Sequence, residues 1–136
     1  MTLKPSRQLR VFIVDEELLF ASCLTLFLLE EGLDASSFAD PLEALFAARS
    51  APPDILISDV ALKPLTGIHL ATRIREDFPA CRVLLFSKEV ETNSLLARAA
   101  SAGNEISLVP APVHFLDLME RIQSLIHEVL PPADAA

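Results

Sequence analysis

The sequence predicts an α/β domain built on a doubly wound parallel sheet, and three observations carry that prediction. Short apolar runs rich in β-branched residues, Val11-Phe12-Ile13-Val14 and Ile55-Leu56-Ile57, suit strands buried on both faces. Such runs alternate with stretches of helical apolar spacing five times along the 136 residues, and right-handed strand–helix–strand crossovers then require a parallel sheet covered on both sides. Finally, two of the runs break off into carboxylates, Asp15-Glu16-Glu17 and Asp59, at the strand ends where ligands bind in sheets of this kind.

The elements follow in order. Residues 10–14 form the first strand and 17–31 a helix, closed by Gly32 in the place of a left-handed cap. A weak second strand covers 33–38. Asp40-Pro41 has the residue types of a helix start, an N-cap acid followed by proline at the first helical position, and that helix runs to about Arg49 before Pro52-Pro53. Strand three is 55–58. Gly67 opens a third helix on the apolar positions Ile68, Ala71 and Ile74, ended by Pro79. Strand four is 82–86, helix four about 91–102 closed by Gly103, strand five 106–109, and helix five about 113–129 stopped by Pro131-Pro132. With a flavodoxin-like order 2-1-3-4-5, strands one and three are neighbours and their terminal acids share one cavity. Residues 1–8 read as an N-terminal arm, 9–129 as the domain, and 130–136 as a short tail or the start of a linker.

Composition narrows the function. A net charge of −8 and a pI near 4.7 repel a phosphate backbone, which argues against direct nucleic-acid binding. The most membrane-like stretch, Leu18 to Leu29, falls well short of the roughly 20 residues a span needs. Cys23 and Cys81 lack any CxxC spacing and read as buried free thiols in a reducing cytoplasm. Three glycines exclude a dinucleotide-binding loop, and the three histidines are isolated.

Three converging carboxylates, Asp15, Glu16 and Asp59, repel one another, and a hard divalent cation such as Mg²⁺ relieves that repulsion. Mg²⁺ prefers one or two carboxylates plus phosphate oxygens, so the site suits phosphoryl transfer, with Asp59 as nucleophile. Ser87, at the end of strand four, offers a hydroxyl to a phosphoryl oxygen. The end of strand five, Val109-Pro110-Ala111-Pro112, brings no cation, so the pocket is expected to be acidic and unbalanced.

In this order and spacing the residues resemble the receiver domain of the response-regulator family over about 9–129. The matches are Asp15 and Glu16 for the acid pair, Asp59 for the phospho-accepting aspartate, Gly67 for the loop glycine and Ser87 for the hydroxyl. The resemblance implies Mg²⁺ as cofactor, a histidine kinase or histidine phosphotransfer protein as partner, and a signalling module rather than an enzyme. The departures are specific: Ala111 falls where the family has its lysine, Leu108 at the aromatic switch position, and the loop proline is displaced to Pro64, with Lys63 in its usual place. Lys63 and Lys88 are the candidates to replace the missing ammonium. Helix one is apolar nearly all round, with a core stripe at Phe20, Cys23, Leu24, Phe27 and Leu28 and a second face of Leu18, Leu19, Leu26 and Leu29. By resemblance that flank docks the phosphotransfer partner, with self-association through it, or through the helix-four, strand-five, helix-five face, as the competitor.

A second reading keeps the same fold as a pseudo-receiver, an interaction module indifferent to phosphate. An aspartate-nucleophile phosphatase normally wants a second acid two residues beyond the first, where this chain has Ala61.

Overall fold

The structure, a computed structural model, describes residues 8–100 and 106–130. Five parallel strands, β1 (Arg10–Val14), β2 (Asp34–Phe38), β3 (Ile55–Asp59), β4 (Arg82–Phe86) and β5 (Ile106–Val109), lie in the order β2-β1-β3-β4-β5. Helices α1 (Leu18–Glu30), α2 (Pro41–Ser50), α3 (Gly67–Asp77), α4 (Asn93–Ala99) and α5 (Phe115–Val129) connect and cover them.

Alternation along the strands divides the core in two. Val11, Ile13, Ile55, Ile57, Leu84 and Phe86 pack with Leu24 and Leu28 of α1 and Leu118, Ile122 and Leu125 of α5. The intervening Phe12, Val14, Leu56, Val83 and Leu85 pack with residues of α2, α3 and α4, among them Ala48, Leu70, Ile74 and Leu96. Because successive side chains point to opposite faces, a continuous apolar run is what a sheet buried on both sides requires. Register places Val14 opposite Ser58 and Asp59 opposite Phe86, which brings the ends of β1, β3 and β4 level.

Local chemistry fixes the element ends. Asp40 accepts from the Leu42 N–H at 2.9 Å with Pro41 at the first helical position, and Thr66 caps α3 by accepting from the His69 N–H at 3.2 Å. Gly32 has φ +88°, and the following Leu33 N–H returns to the Leu28 carbonyl at 3.1 Å, a left-handed helix stop.

Several expectations are corrected. Helix four does not begin at 91 as one α-helix: a 3₁₀ turn, Val90–Thr92, precedes α4. Its expected end at Gly103 lies outside the described residues. Helix five starts at Phe115, two residues late, because Ala111–Pro112 and Val113 complete the turn out of β5. Within α1 the fully buried positions are Ala21, Leu24 and Leu28, while Phe20 and Phe27 are only partly covered. Cys23 is exposed and only Cys81 is buried. The stripe on α1 is therefore narrower than its hydrophobicity suggests.

Candidate functional site

Beyond the carboxyl ends of β1, β3 and β4 lies a cavity of about 690 Å³ lined by Asp15, Glu16, Glu17, Asp59, Lys63 and Lys88, among others. Asp15 is buried; its Oδ1 accepts from the Glu17 N–H at 2.9 Å, whereas its Oδ2 is buried without a hydrogen-bond partner. An unpartnered buried carboxylate oxygen is costly and marks a place for a cation or water. Asp59, 6% exposed, takes a long bond of 3.3 Å from the Ala61 N–H on Oδ1. Burial pushes its carboxyl from 3.8 up to about 6, opposed by the Ala61 N–H, reinforced by the charge of Asp15 and opposed again by Lys88. Ionised Asp59 is thus a poorly solvated carboxylate, the state in which its oxygens are most reactive.

Gly67 serves this site by close approach rather than by unusual dihedrals. A Cβ there would lie 2.2 Å from the Asp59 carbonyl oxygen, so only glycine lets the start of α3 sit against the end of β3.

The expected electrostatic imbalance is corrected. Lys88, the first residue after Ser87, sends its ammonium into the acid cluster: Nζ lies 2.6 Å from Glu17 Oε1, 2.9 Å from Asp15 Oδ1 and 3.9 Å from Asp59 Oδ2. Its ammonium lies over the Phe20 ring, with Nζ 4.7 Å from the centroid. Burial lowers the proton affinity of Lys88, but the hydrogen bonds to Glu17 and Asp15 and the charges of Asp15 and Asp59 outweigh it, so the pKa is raised. Ala111 brings no cation, but β4 supplies one. Alternation would have located it: Asp15 follows Val11 and Ile13, Asp59 follows Ile55 and Ile57, and Lys88 follows Leu84 and Phe86, all of one face.

Glu16 lines the cavity but is exposed, and its Oε2 accepts from the Lys63 N–H at 2.9 Å. Among the described residues, no three acids or other metal-ligating side chains converge as a set able to hold a metal ion. Asp15 and Asp59 are brought together; Glu16 is occupied beside them. Ser87 is fully buried on the opposite face of β4, where its hydroxyl donates to the Glu89 carbonyl at 2.7 Å and makes a short contact with Thr92 Oγ1. Ala111 is clamped through its backbone: its N–H donates to Asn93 Oδ1 at 2.9 Å and its carbonyl accepts from Asn93 Nδ2 at 3.1 Å. The sequence reading passed over Asn93.

Comparison with known proteins decides the family. The chain matches the response regulator receiver domain over residues 11–123. It belongs to that family. The receiver domain is similar to the DNA-binding response regulator MtrA of Mycolicibacterium paratuberculosis, 30% identical over 71% of this chain and 43% of that protein. It is also similar to the probable transcriptional regulatory protein TcrX of Mycobacterium tuberculosis, 26% identical over 85% and 49%. The receiver domain therefore spans about half the length of these relatives. Among solved structures, a two component transcriptional regulator AraC from Clostridium phytofermentans shares 26% identity at a TM-score of 0.72, covering 90% of this chain and 94% of that one. The response regulator TrrA of Thermotoga maritima, in complex with Mg²⁺-BeF, has the same fold at a TM-score of 0.70, 24% identity and coverage of 87% and 99%. Among the described residues, no helix of the receiver domain is long and apolar enough to cross a membrane.

Proposed function

We propose that this receiver domain accepts a phosphoryl group on Asp59, in the cytoplasm, from a histidine kinase or histidine phosphotransfer protein. The observation that carries the reading is the placement of Asp59 at the mouth of the cavity, nearly dehydrated and beside the unpartnered Oδ2 of Asp15. That pair fits a divalent cation, since Mg²⁺ takes one or two carboxylates and completes its shell with water and phosphate oxygens. Asp15 and Asp59 would hold it, with Glu16 joining only by releasing the Lys63 N–H, and when bound it would neutralise charge on the phosphoryl oxygens. In the transfer, an oxygen of ionised Asp59 bonds to phosphorus as the bond from phosphorus to the donor imidazole nitrogen breaks, leaving an acyl phosphate and a free histidine.

With Ala111 at the end of β5, the ammonium available to a phosphoryl oxygen is that of Lys88, 3.9 Å from Asp59 Oδ2. A charged hydrogen bond of this kind contributes about 1.5–3 kcal/mol, so transfer is slower wherever Lys88 stays on its two other acids. Ser87 joins only by turning its hydroxyl away from Glu89. Leu18, Leu19 and Leu26, 71%, 76% and 61% exposed on α1, form the docking flank for the donor, and output passes through a further domain or partner.

The test is incubation with Mg²⁺ and a small acyl-phosphate donor, read by intact mass. The expected result at saturating Mg²⁺ is a gain of one phosphoryl group, lost in Asp59→Asn and slowed about tenfold in Lys88→Met. The engagement of Ser87 with Glu89 and Thr92 favours a second reading, a phosphate-independent interaction module. An unmodified protein in this assay supports it.

A further inference from the structure

The two carboxylates that would hold a divalent cation already share an ammonium. Lys88 is held in three ways at once: by ion pairs to Asp15 and Glu17, by the Phe20 ring beneath its ammonium, and by the nearby charge of Asp59. Its side chain is 21% exposed, so the charge sits in a partly dehydrated setting where like charges repel strongly. Yet the ammonium leaves Asp15 incompletely satisfied, because Oδ2 remains buried without a partner. A divalent ion entering between Asp15 and Asp59 would gain that oxygen and meet the ammonium only a few ångströms away.

We propose that Lys88 is a resident competitor for the divalent-cation site, so that Mg²⁺ binding at Asp15 and Asp59 displaces its ammonium from Asp15, leaving it paired with Glu17 at the rim and free to meet a phosphoryl oxygen. Glu17 makes the exchange feasible. Its side chain is 63% exposed at the cavity rim and bonds Lys88 more closely than Asp15 does, so the displaced ammonium keeps a partner. The pocket thereby has two states, one with lysine inside and one with metal inside. Mg²⁺ affinity is correspondingly low, and occupancy responds to the free Mg²⁺ concentration. This rests on the reading above that Asp15 and Asp59 hold the cation.

The experiment titrates Mg²⁺ into the full chain by calorimetry for the wild type, Lys88→Met and Asp15→Asn, in Mg²⁺-free starting buffer at fixed ionic strength. Methionine keeps an unbranched side chain of similar length and removes the charge. The expected result is Mg²⁺ binding about tenfold tighter in Lys88→Met than in the wild type, and lost in Asp15→Asn. In parallel, the lysine side-chain NMR signals of the wild type should show Lys88 shifting in step with Mg²⁺ saturation, a readout that needs no variant to fold. Equal or weaker binding by Lys88→Met, or a Lys88 signal unmoved at saturation, overturns the inference while leaving the metal site standing. Absence of Mg²⁺ binding in both the wild type and Lys88→Met overturns the inference together with the site reading beneath it.

Discussion

Replacing Asp59 by asparagine sets two opposing contributions of one carboxylate against each other. Burial disfavours its charge, whereas Lys88, 3.9 Å away, favours it. The rise from 3.8 to about 6 says that burial wins. At about 1.4 kcal/mol per pH unit, the charged form costs the fold about 3 kcal/mol, and solvent in the open cavity reduces this to about 2 kcal/mol. Because the native pKa is raised, the folded protein holds a proton between pH 3.8 and about 6 that the unfolded chain has lost. Stability contributed by this group therefore falls as pH rises through that window, and the full cost is present at pH 7.5. Asp59→Asn should be more stable than the wild type by about 2 kcal/mol at pH 7.5, roughly 6–8 °C in Tm, with the advantage vanishing below pH 3.8. With no Trp or Tyr in the chain, far-UV circular dichroism in Mg²⁺-free buffer is the suitable probe. A variant equally or less stable at pH 7.5, or a gain that persists unchanged at low pH, would show that the Lys88 pairing outweighs desolvation and refute the reasoning.

Gly67→Ala forces a methyl to within 2.2 Å of the Asp59 carbonyl oxygen, so α3 must shift; we expect a loss of about 2–3 kcal/mol in urea denaturation and slower modification of Asp59. The two thiols should separate cleanly. Burial pushes Cys81 up to about 12, with Asp54 adding to the rise, while Cys23 is exposed, so a thiol reagent at pH 8 should consume one equivalent in the native state and the second only after unfolding.

Most of the architecture was legible because buried parallel strands announce themselves as apolar runs and because Asp40-Pro41, Gly67 and Gly32 punctuate the helices in ways that follow from backbone geometry alone, whereas the Thr66 cap on α3 emerges only from the structure. Asp15 and Asp59 were legible for the same reason, as acids ending such runs. Lys88 is one of the two candidate ammoniums in the sequence, but with Ala111 at the end of β5 the sequence alone does not say that β4 supplies the cation. Its placement depends on which face each strand-end side chain takes, and on the Phe20 ring beneath the lysine ammonium. The Ser87 hydroxyl faced the same difficulty. Its choice between the cavity and the Glu89 carbonyl depends on the 3₁₀ turn at Val90–Thr92, which apolar periodicity does not reveal. Cys23 misled because its neighbours on α1 are apolar on every side, so hydrophobicity could not tell covered from uncovered positions.

The amide of Asn93 grips both backbone groups of Ala111, joining the first residue of α4 to the segment that leaves β5. Those two stretches consequently travel as one piece. A tilt of α4 carries Ala111 with it, and a pull on that segment is felt at the base of the helix, so a displacement begun at the β4 loop can cross the end of the sheet without any side chain of β5 reaching the acids.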